Sequence, residues 1–410
     1  MSNETTNTAV PKLRFPEFRE AGEWEEKQIK ELFDSGNKAE KGGLFDNERI
    51  ITVRLHGLGV VKNDRAAALT GGTNYFKRET GQFIFSKIDL LNGAFGLVPE
   101  KLNGFVSSAD IPALTFKNQE SAGFFLNWML ASYKTLALER TGTSTTLKRI
   151  SKEGFLSSAI WVPSVKEQQK IAATFSSLDD LLTAQNAKLA ALQAHKRGLM
   201  QALFPAEGET VPKLRFPEFQ DAEEWEEKKL GEVATFLNGR AYQQAELLDS
   251  GKYKVLRLGN LFSNNHWYYS DLELEENKYC DKGDLLYAWS ASFGPRMWTG
   301  EKVIYHYHIW KVIEKKGIGK QFLFVLLDYE TNRIKDAQAN GLGMLHITKG
   351  SIEAWKCLIP KDKEEQKRIA ACLSSLDDRI TAQSQKIEAL KLHKKGLMQG
   401  LFPALFEAAV

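Results

Sequence analysis

The side chains best suited to chemistry are few and scattered. His306 and His308 stand two apart on a predicted strand, so both are expected on one face of a sheet. Two imidazoles do not complete a metal site, which favours a place in an aromatic-rich sheet or on a nucleic-acid-facing surface. Cys280, Cys357 and Cys372 are too far apart for a CxxC site. We therefore expect free thiols and a reducing, cytoplasmic setting.

No catalytic motif accompanies these residues. GIGKQ at 317–321 lacks both the spacing and the hydroxyl of a phosphate-binding loop. The acidic pairs at 179–180 and 377–378 fall on predicted helices, where solvated or partner-facing charges are expected. The sequence thus predicts no catalytic residue, no metal and no cofactor bound by this chain.

What remains are loops that mix basic, aromatic and small polar residues. WSASFGPR at 289–296 is the best of them, because serine and arginine contact phosphates and arginine is the commonest reader of guanine. A structural hairpin closed by its aromatic residues is an equal alternative. GRAYQQ at 239–244 is a second candidate, and two loops in the first half are weaker ones. The predicted DNA-binding residues are Ser86, Lys87, Asn92, Thr143, Ser144, Thr145, Arg240, Tyr242, Ser290, Ser292 and Arg296.

These loops lie in a chain that uses one unit twice. PKLRFPEF occurs at 11–18 and at 212–219, each time followed by WEEK, which begins with Trp24 in the first copy and Trp225 in the second. EQQKIAATFSSLDD from Glu167 is answered by EQKRIAACLSSLDD from Glu365, and HKRGLMQALFP by HKKGLMQGLFP. The blocks between these stretches share an order of elements but little sequence. A fixed frame that carries two divergent readers explains this pattern better than a duplicated scaffold.

The repeat divides the chain into alternating fixed and variable segments. These are a tail and lead (1–28), a first variable block (29–164), a spacer helix (165–211), a second lead (212–229), a second variable block (230–361) and a second spacer helix (362–410). In the blocks, 49–57, 81–91, 109–117, 252–261, 283–294 and 301–313 are predicted as strand-rich, and 122–140 and 321–337 as helices.

Each spacer carries apolar residues at alternating intervals of four and three, which is a heptad seam. The seam residues are Ile171, Phe175, Leu178, Leu182, Leu189 and Leu192 in the first copy, and Ile369, Leu373, Leu376, Ile380, Ile387 and Leu390 in the second. About 37 helical residues span roughly 55 Å, too long for an ordinary core to cover. The natural partner is the other copy, packed antiparallel.

Both seams are broken by the same residue types, Gln185 and Lys196 against Gln383 and Lys394. They either set the register of the coiled coil or face a gap where another subunit docks, and the sequence leaves both open. The order of segments also predicts that the two chain ends lie near each other. The expected fold class is α/β of the α+β type, with two globular domains separated by a long antiparallel coiled coil in a pseudo-two-fold tandem repeat.

Bulk properties agree with a globular protein of several domains. The 410 residues carry a net charge of +3, and the surplus of basic residues falls in the two variable blocks. This charge is compatible with DNA binding without indicating it. No apolar run is long enough for a membrane span, so no membrane partner is expected.

The arrangement resembles the specificity subunit of type I restriction–modification systems. The resemblance covers nearly the whole chain and rests on the PKLRFPEF…WEEK lead, the SSLDD start and HK(R/K)GLMQxLFP end of each spacer, and GDLLYAWSASFGPRMWTGEK at 283–302. It implies that each variable block is a target-recognition domain for one half of a bipartite site in double-stranded DNA. The spacers would bind two modification (methyltransferase) subunits.

The resemblance further implies adenine methylation by those partners with S-adenosylmethionine, and ATP-driven translocation and cleavage by restriction subunits. None of these cofactors would bind this chain. Two other functions are weighed against this one. A self-contained nuclease or methyltransferase would need a cofactor loop or a carboxylate–lysine cluster, and a pure assembly scaffold would show no sequence-dependent DNA binding.

Overall fold

The computed structural model describes residues 10–34, 47–64, 74–141, 148–262, 264–290, 294–338 and 347–403. It contains two compact units. Unit 1 comprises residues 1–186 and 385–410, and unit 2 comprises residues 187–384. Each unit therefore combines one lead, one variable block, the start of one spacer helix and the end of the other.

The described part of unit 1 contains short strands, two short helices and the two spacer segments. Its strands are β1 (Glu25–Gln28), β2 (Ile51–Val53), β3 (Val60–Lys62), β4 (Tyr75–Lys77), β5 (Phe83–Phe85), β6 (Phe95–Leu97), β7 (Val106–Ser108), β8 (Ala113–Leu114), β9 (Arg140–Thr141), β10 (Arg149–Ile150) and β11 (Ala159–Val162), and its short helices are α1 (Ala122–Ser132) and α2 (Lys152–Leu156). The three-stranded sheet β6-β5-β8 is central, and β2–β3, β4–β7, β9–β10 and β1–β11 form antiparallel pairs.

Aromatic packing holds unit 1 together. All three side chains of β5 are buried, because a middle strand with a helix against it has no solvent face. Phe83 contacts Phe125 of α1 with ring centroids 4.9 Å apart. Phe402, from the end of the second spacer, enters the same core and packs edge-on against Trp24 of the lead at 6.4 Å.

Unit 2 has larger sheets. Its strands are β12 (Glu226–Lys229), β13 (Ala234–Asn238), β14 (Tyr253–Leu256), β15 (Tyr268–Ser270), β16 (Tyr279–Cys280), β17 (Leu285–Ala288), β18 (Gly294–Met297), β19 (Val303–Tyr305), β20 (Ile309–Glu314) and β21 (Lys356–Ile359). The sheet β13-β20-β17-β18 is antiparallel, whereas β15-β14-β19-β16 contains the parallel pair β14–β19. Strand β12 pairs with β21 as β1 pairs with β11.

The long spacer helices begin in one unit and end in the other. The other helices of unit 2 are α4 (Leu230–Val233), α5 (Leu258–Phe262), α6 (Lys320–Gln338) and α7 (Lys349–Ala354), and the spacers are α3 (Val165–Leu203) and α8 (Lys363–Leu401), of 39 residues each. In unit 1, Phe175 of α3 stacks on Phe402 at 6.2 Å and Asp179 pairs with Lys394. As the residue number increases along α3, the residue number of its partner in the second spacer decreases. The helices therefore run antiparallel there, as predicted.

The same junction fastens the lead to the spacers in both units. Arg14 forms two hydrogen bonds of 2.8 Å with Glu167, and Arg215 forms two of 2.8 Å with Glu365. Both glutamates are 1% exposed. We call each pair a clamp, because it ties the lead to the first turn of a spacer helix with a planar, bidentate ion pair.

Each lead also meets the end of the other spacer. The backbone N–H of Leu13 donates to the carbonyl of Gly400 at 2.8 Å, and that of Leu214 donates to Ala202 at 2.8 Å. The first contact joins the first and last described stretches of the chain, whereas the chain ends themselves lie outside the described residues, so their predicted closeness stays a prediction.

Three predictions of secondary structure differ from the structure in part. The helix predicted over 122–140 forms but ends at Ser132, where the chain turns and buries Leu136 instead of continuing. The segment 252–261, predicted as strand-rich, forms β14 only to Leu256 and then continues as α5. The segment 301–313, also predicted as strand-rich, contains β19 and the start of β20, but the prediction that His306 and His308 share one strand was wrong, because both lie in the connection between these two strands.

Candidate nucleic-acid interface

Three loops of unit 2 meet at the ends of its antiparallel sheet. The turn 306–308 connects β19 to β20, and the N–H of Tyr307 donates to the carbonyl of Arg240 at 3.0 Å. The N–H of Arg240 in turn donates to Tyr305 at 3.0 Å, and that of Trp289 donates to His308 at 3.2 Å. Two loops singled out in the sequence, 239–244 and 289–296, are thereby brought together around the two histidines.

Aromatic rings make this surface rigid. The indole N–H of Trp289 donates to the carbonyl of Tyr307 at 2.7 Å, and its ring meets His308 edge-on at 5.0 Å. Tyr242 lies parallel to His306 at 6.3 Å. Tyr307 itself is 39% exposed at the tip of the turn. We call Tyr242, Trp289, His306, Tyr307 and His308 the aromatic platform; an exposed ring on a rigid base is suited to contact with nucleic-acid bases or sugars.

The other predicted residues near the platform are more constrained than the sequence suggests. Arg240 forms hydrogen bonds of 2.7 and 3.1 Å with Glu246, and that ion pair holds the pKa of Glu246 below its usual range. The Tyr242 hydroxyl is buried without a hydrogen-bond partner among the described residues, and burial raises its pKa. Ser290 is 8% exposed. These three residues shape the surface more than they present free groups on it.

Arg296 is the most available of the predicted arginines. It is exposed on β18, donates to the carbonyl of Pro295 at 3.0 Å, and its guanidinium lies 4.8 Å from the ring centre of Phe262. The described residues offer it no carboxylate partner. Ser292 of the same loop, and Thr143, Ser144 and Thr145 of unit 1, lie outside the described residues.

In unit 1 the predicted residues 86, 87 and 92 surround one turn. The Ser86 hydroxyl accepts the backbone N–H groups of Ile88 at 3.3 Å and Asp89 at 3.2 Å, and so shapes the turn. Asn92 is exposed and donates to the Asp89 carboxylate at 2.9 Å. The Lys87 backbone bonds to Asp110 and Ile150, which leaves a half-buried side chain beside this turn. The three residues are neighbours, but serine and asparagine are engaged locally.

The predicted seam residues of α3 and α8 are all buried or half-buried. The lysines that interrupt the seam form ion pairs across to the facing spacer: Lys394 with Asp179 in unit 1, and Lys196 with Asp377 at 2.7 Å in unit 2. Because these pairs join equivalent positions of the repeat, they support the register-setting interpretation over a gap for another subunit.

Lys196 has a second partner, whereas no second partner is found for Lys394 among the described residues. The Lys196 ammonium also lies 3.0 Å from Asp328 of α6. Burial opposes the charge on Lys196, but the two carboxylates outweigh it and raise the lysine pKa. One ammonium cannot fully neutralise two carboxylates, and burial together with Asp328 keeps the pKa of Asp377 above its usual range.

The sequence missed a basic pocket beside the platform. It is lined by Arg257, Leu258, Gly259, Asn260, Asn264, His266, Tyr268 and the two platform histidines. The signal was the run of asparagine and histidine in GNLFSNNH at 259–266, which is atypical of the strand predicted there. Within the described ranges, no group of three or more histidine, cysteine or acidic residues is placed to hold a metal ion. Nor does any helix there combine the length and apolarity needed to cross a bilayer.

Comparison with known proteins gives consistent matches along the chain. The model of the family described as the type I restriction modification DNA specificity domain matches residues 21–194 and 222–392. The MjaVIII type I restriction enzyme specificity subunit of Methanocaldococcus jannaschii is 26% identical over 313 residues, which is 72% of each chain. The putative MjaX specificity subunit of the same organism is 26% identical over 248 residues, 58% of this chain and 56% of the other.

Two solved structures share the fold. A type I restriction–modification S subunit from M. genitalium superposes with a TM-score of 0.59 at 18% identity, covering 96% of this chain and 99% of that one. A chain from a study of complex assembly and conformational transition in the type I system gives a TM-score of 0.54 at 16% identity, covering 93% and 98%. The mixed α+β fold in tandem copies is thus confirmed.

Proposed function

Since this chain belongs to the type I restriction–modification DNA specificity family, we propose that each of its units reads one half of a bipartite, asymmetric DNA site. The observation that carries the proposal is the contrast between frame and surface. Both units use the same clamp and the same lead-to-spacer hydrogen bond. Among the described candidate loops the two units differ, with an aromatic platform in unit 2 and a serine–asparagine turn in unit 1. Two different surfaces on one frame suit two different half-sites.

The spacers are proposed to dock two modification (methyltransferase) subunits and to set the gap between the half-sites. Outside the seam, α3 presents small exposed residues such as Ala184, Ala191 and Ala194, which allow another helix to approach closely. A helix of 39 residues is about 58 Å long, so its length can set a gap of several base pairs between the two half-sites. Restriction subunits, which translocate and cleave DNA with ATP, would join through the same complex.

In this proposal the chain recognises DNA and its partners perform the chemistry. Adenine would be methylated by the modification subunits with S-adenosylmethionine, and the described residues of this chain contribute positioning. The test is to map methylated adenines with the reconstituted complex and to assay the purified chain alone. We expect one bipartite motif with a fixed gap, and no methyl transfer or cleavage by the chain alone.

Two results would overturn this function, and each would assign the chain a different one. Robust methyl transfer or cleavage by the chain alone would make it an enzyme. Absence of sequence-dependent binding when the methyltransferase partner is present would make it an assembly scaffold. Lengthening both spacers by one heptad, about 10 Å, is expected to widen the gap by about three base pairs or to abolish binding. An unchanged gap would reject the spacing role.

A further inference from the structure

The basic pocket next to the aromatic platform of unit 2 is a recess in its own right. It has a volume of about 230 Å³ and opens between the segment 257–268 and the turn 306–308. The N–H of His306 donates to the carbonyl of Leu256 at 2.9 Å, which fixes the histidine against this segment. The recess is therefore part of the sheet framework rather than a gap between loose loops.

Two asparagines hold the segment in one conformation. The Asn260 amide donates to the carbonyls of Asn264 at 3.1 Å and His266 at 2.6 Å, while its oxygen accepts the N–H of Arg257 at 3.2 Å. The Asn264 oxygen accepts the N–H of His266 at 2.8 Å. Because the Asn260 amide and the Asn264 oxygen are used within the loop, the groups left for a ligand include the guanidinium of Arg257, the imidazole of His306 and the NH2 group of Asn264.

These remaining groups are donors. The Arg257 guanidinium lies over the Tyr268 ring, with Cζ 5.1 Å from the ring centre, and forms no ion pair with a carboxylate of the described residues. His306 accepts the backbone N–H of His308 through Nδ1 at 3.4 Å, so its neutral form carries the proton on Nε2 and donates from there. No acidic side chain occurs among the described residues that line the recess.

The electrostatic setting matches this geometry. Burial, His308 and Arg257 together lower the pKa of His306 to about 4, so at neutral pH it is an uncharged donor beside a fixed positive charge. The other groups near it do not cancel that charge: Glu246 is engaged by Arg240, and the Tyr242 hydroxyl is neutral. Arg296 adds a second cation at the far end of α5, over Phe262.

We propose that this recess binds one backbone phosphate of the DNA half-site read by unit 2, with Arg257 and Nε2–H of His306 as the donors. The inference rests on the proposed function and assigns these residues to positioning rather than to base reading. Phosphate oxygens accept only, as the recess requires, and they accept from several directions at once. The major-groove edge of guanine also presents only acceptors, but in a single plane, which fits one arginine better than converging arginine and histidine side chains.

The first test measures DNA affinity of the complete complex against salt. The probes are the duplex identified by methylation mapping and an unrelated duplex. Arg257→Gln is expected to weaken binding to both by a similar factor, about tenfold, and to reduce the slope of log affinity against log salt by about 1. Arg257→Lys, which keeps the charge, is expected to restore the slope. Lys356→Gln is the matched control, because it removes an exposed charge of unit 2 outside the recess.

The second test locates the contact. Neutral methylphosphonate linkages are placed one at a time along the second half-site. The wild-type complex is expected to lose affinity at one linkage, where Arg257→Gln shows no further loss. Additive losses at every linkage would overturn the proposal. So would a loss of discrimination confined to one base pair, since that is the signature of guanine reading.

Free phosphate is the other source of the same chemistry. If the His306 imidazole signal in NMR shifts on addition of inorganic phosphate while no methylphosphonate position depends on Arg257, the recess serves a free anion and the proposal is wrong. Failure of the proposed function looks different, because the wild-type complex would then bind no duplex in a sequence-dependent way. In that case the inference falls with the function.

Discussion

The two units fasten lead to spacer with the same residues, yet they complete the surrounding hydrogen bonds differently. In unit 2 the Trp225 indole donates to the clamp residue Glu365 at 3.3 Å. In unit 1 the indole nitrogen of the equivalent Trp24 is buried without a partner among the described residues. The sequence around these positions is repeated almost unchanged. We therefore attribute the difference to the contacts that each variable block makes with its lead and spacer.

A glutamine next to the clamp shows the same contrast. Gln366 bonds to Gly319, Gly317 and Pro360, and so joins its spacer to the loop before α6. Gln168 donates only to Pro163, and its oxygen has no partner within the described chain. The extra partners in unit 2 belong to the variable block. The frame is therefore constant, whereas the block decides how completely the frame's buried polar groups are satisfied.

Breaking the clamp is the strongest way to probe this comparison. Glu365→Ala leaves Arg215 and Trp225 buried without their acceptor, and Glu167→Ala leaves Arg14. Removing one partner of a buried ion pair costs about 3–5 kcal/mol, and we expect the larger loss in unit 2. Urea unfolding monitored for each unit by hydrogen exchange provides the measurement. The double variant Arg215→Met/Glu365→Leu is expected to recover most of the loss, and equal losses in both units would refute the contrast.

The glutamines give a smaller and more selective effect. Gln366→Leu leaves the N–H of Gly319 without its acceptor and is expected to lower the free energy of unfolding by about 1–3 kcal/mol. Gln168→Leu removes one hydrogen bond but also an unpartnered oxygen, so a change of less than about 1 kcal/mol is expected. Each variant is the other's matched control. A larger loss for Gln168→Leu would show that the two junctions are equally satisfied.

The seam lysines compare the units at their spacers. Lys196→Met leaves Asp328 and Asp377 facing each other in a half-buried site, and a loss of about 1–2 kcal/mol is expected. Lys394 has one partner, Asp179, whose side chain is 55% exposed, so Lys394→Met is expected to cost less than about 1 kcal/mol. Thermal unfolding of the two variants in parallel tests this order, and lowering the pH should narrow the difference, because burial raises the pKa of Asp377 and this carboxylate is the one that loses its charge more readily than usual.

The smallest expected effect is a pH dependence of the free energy of unfolding of unit 2. The pKa of His306 lies at about 4, below its ordinary value of 6.5, so the unfolded chain binds a proton that the folded chain does not. Stability is then fully present above about pH 6.5 and is lost as pH falls toward 4. With half-exposure of the ring taken into account, we expect about 1 kcal/mol, or about 2–4 °C in Tm, between pH 7 and 5. His306→Gln should remove this component, and an unaltered pH profile would contradict it.

Sequence alone was sufficient wherever a pattern was long or repeated. The spacers, their antiparallel packing and the contact between the first lead and the end of the second spacer followed from heptads and from the order of the copies. The clamp was not predicted, because Arg14 and Glu167 are 153 positions apart and carry no local signal. Its only trace was that both residues fall in repeated stretches.

The candidate interface was harder to predict because tertiary contacts fix it. The turn 306–308 interrupts a segment of good strand propensity. It does so because the backbone of Arg240, on a loop distant in sequence, forms hydrogen bonds with the backbone of Tyr305 and Tyr307. Arg257 was overlooked because Asn260 and Asn264 turn an apparent strand into a short helix and loop. Local propensity yields to such contacts, and these contacts build the surface proposed to meet DNA.

The central claim is that two independent readers share one frame. Residues 230–361 are replaced by the corresponding block of another member of the family, and methylated adenines are mapped with the same methyltransferase partner. The account predicts that one half of the motif changes while the other half and the gap stay as they were, with the reciprocal result when residues 29–164 are exchanged. A change in both halves, or in neither, would contradict it.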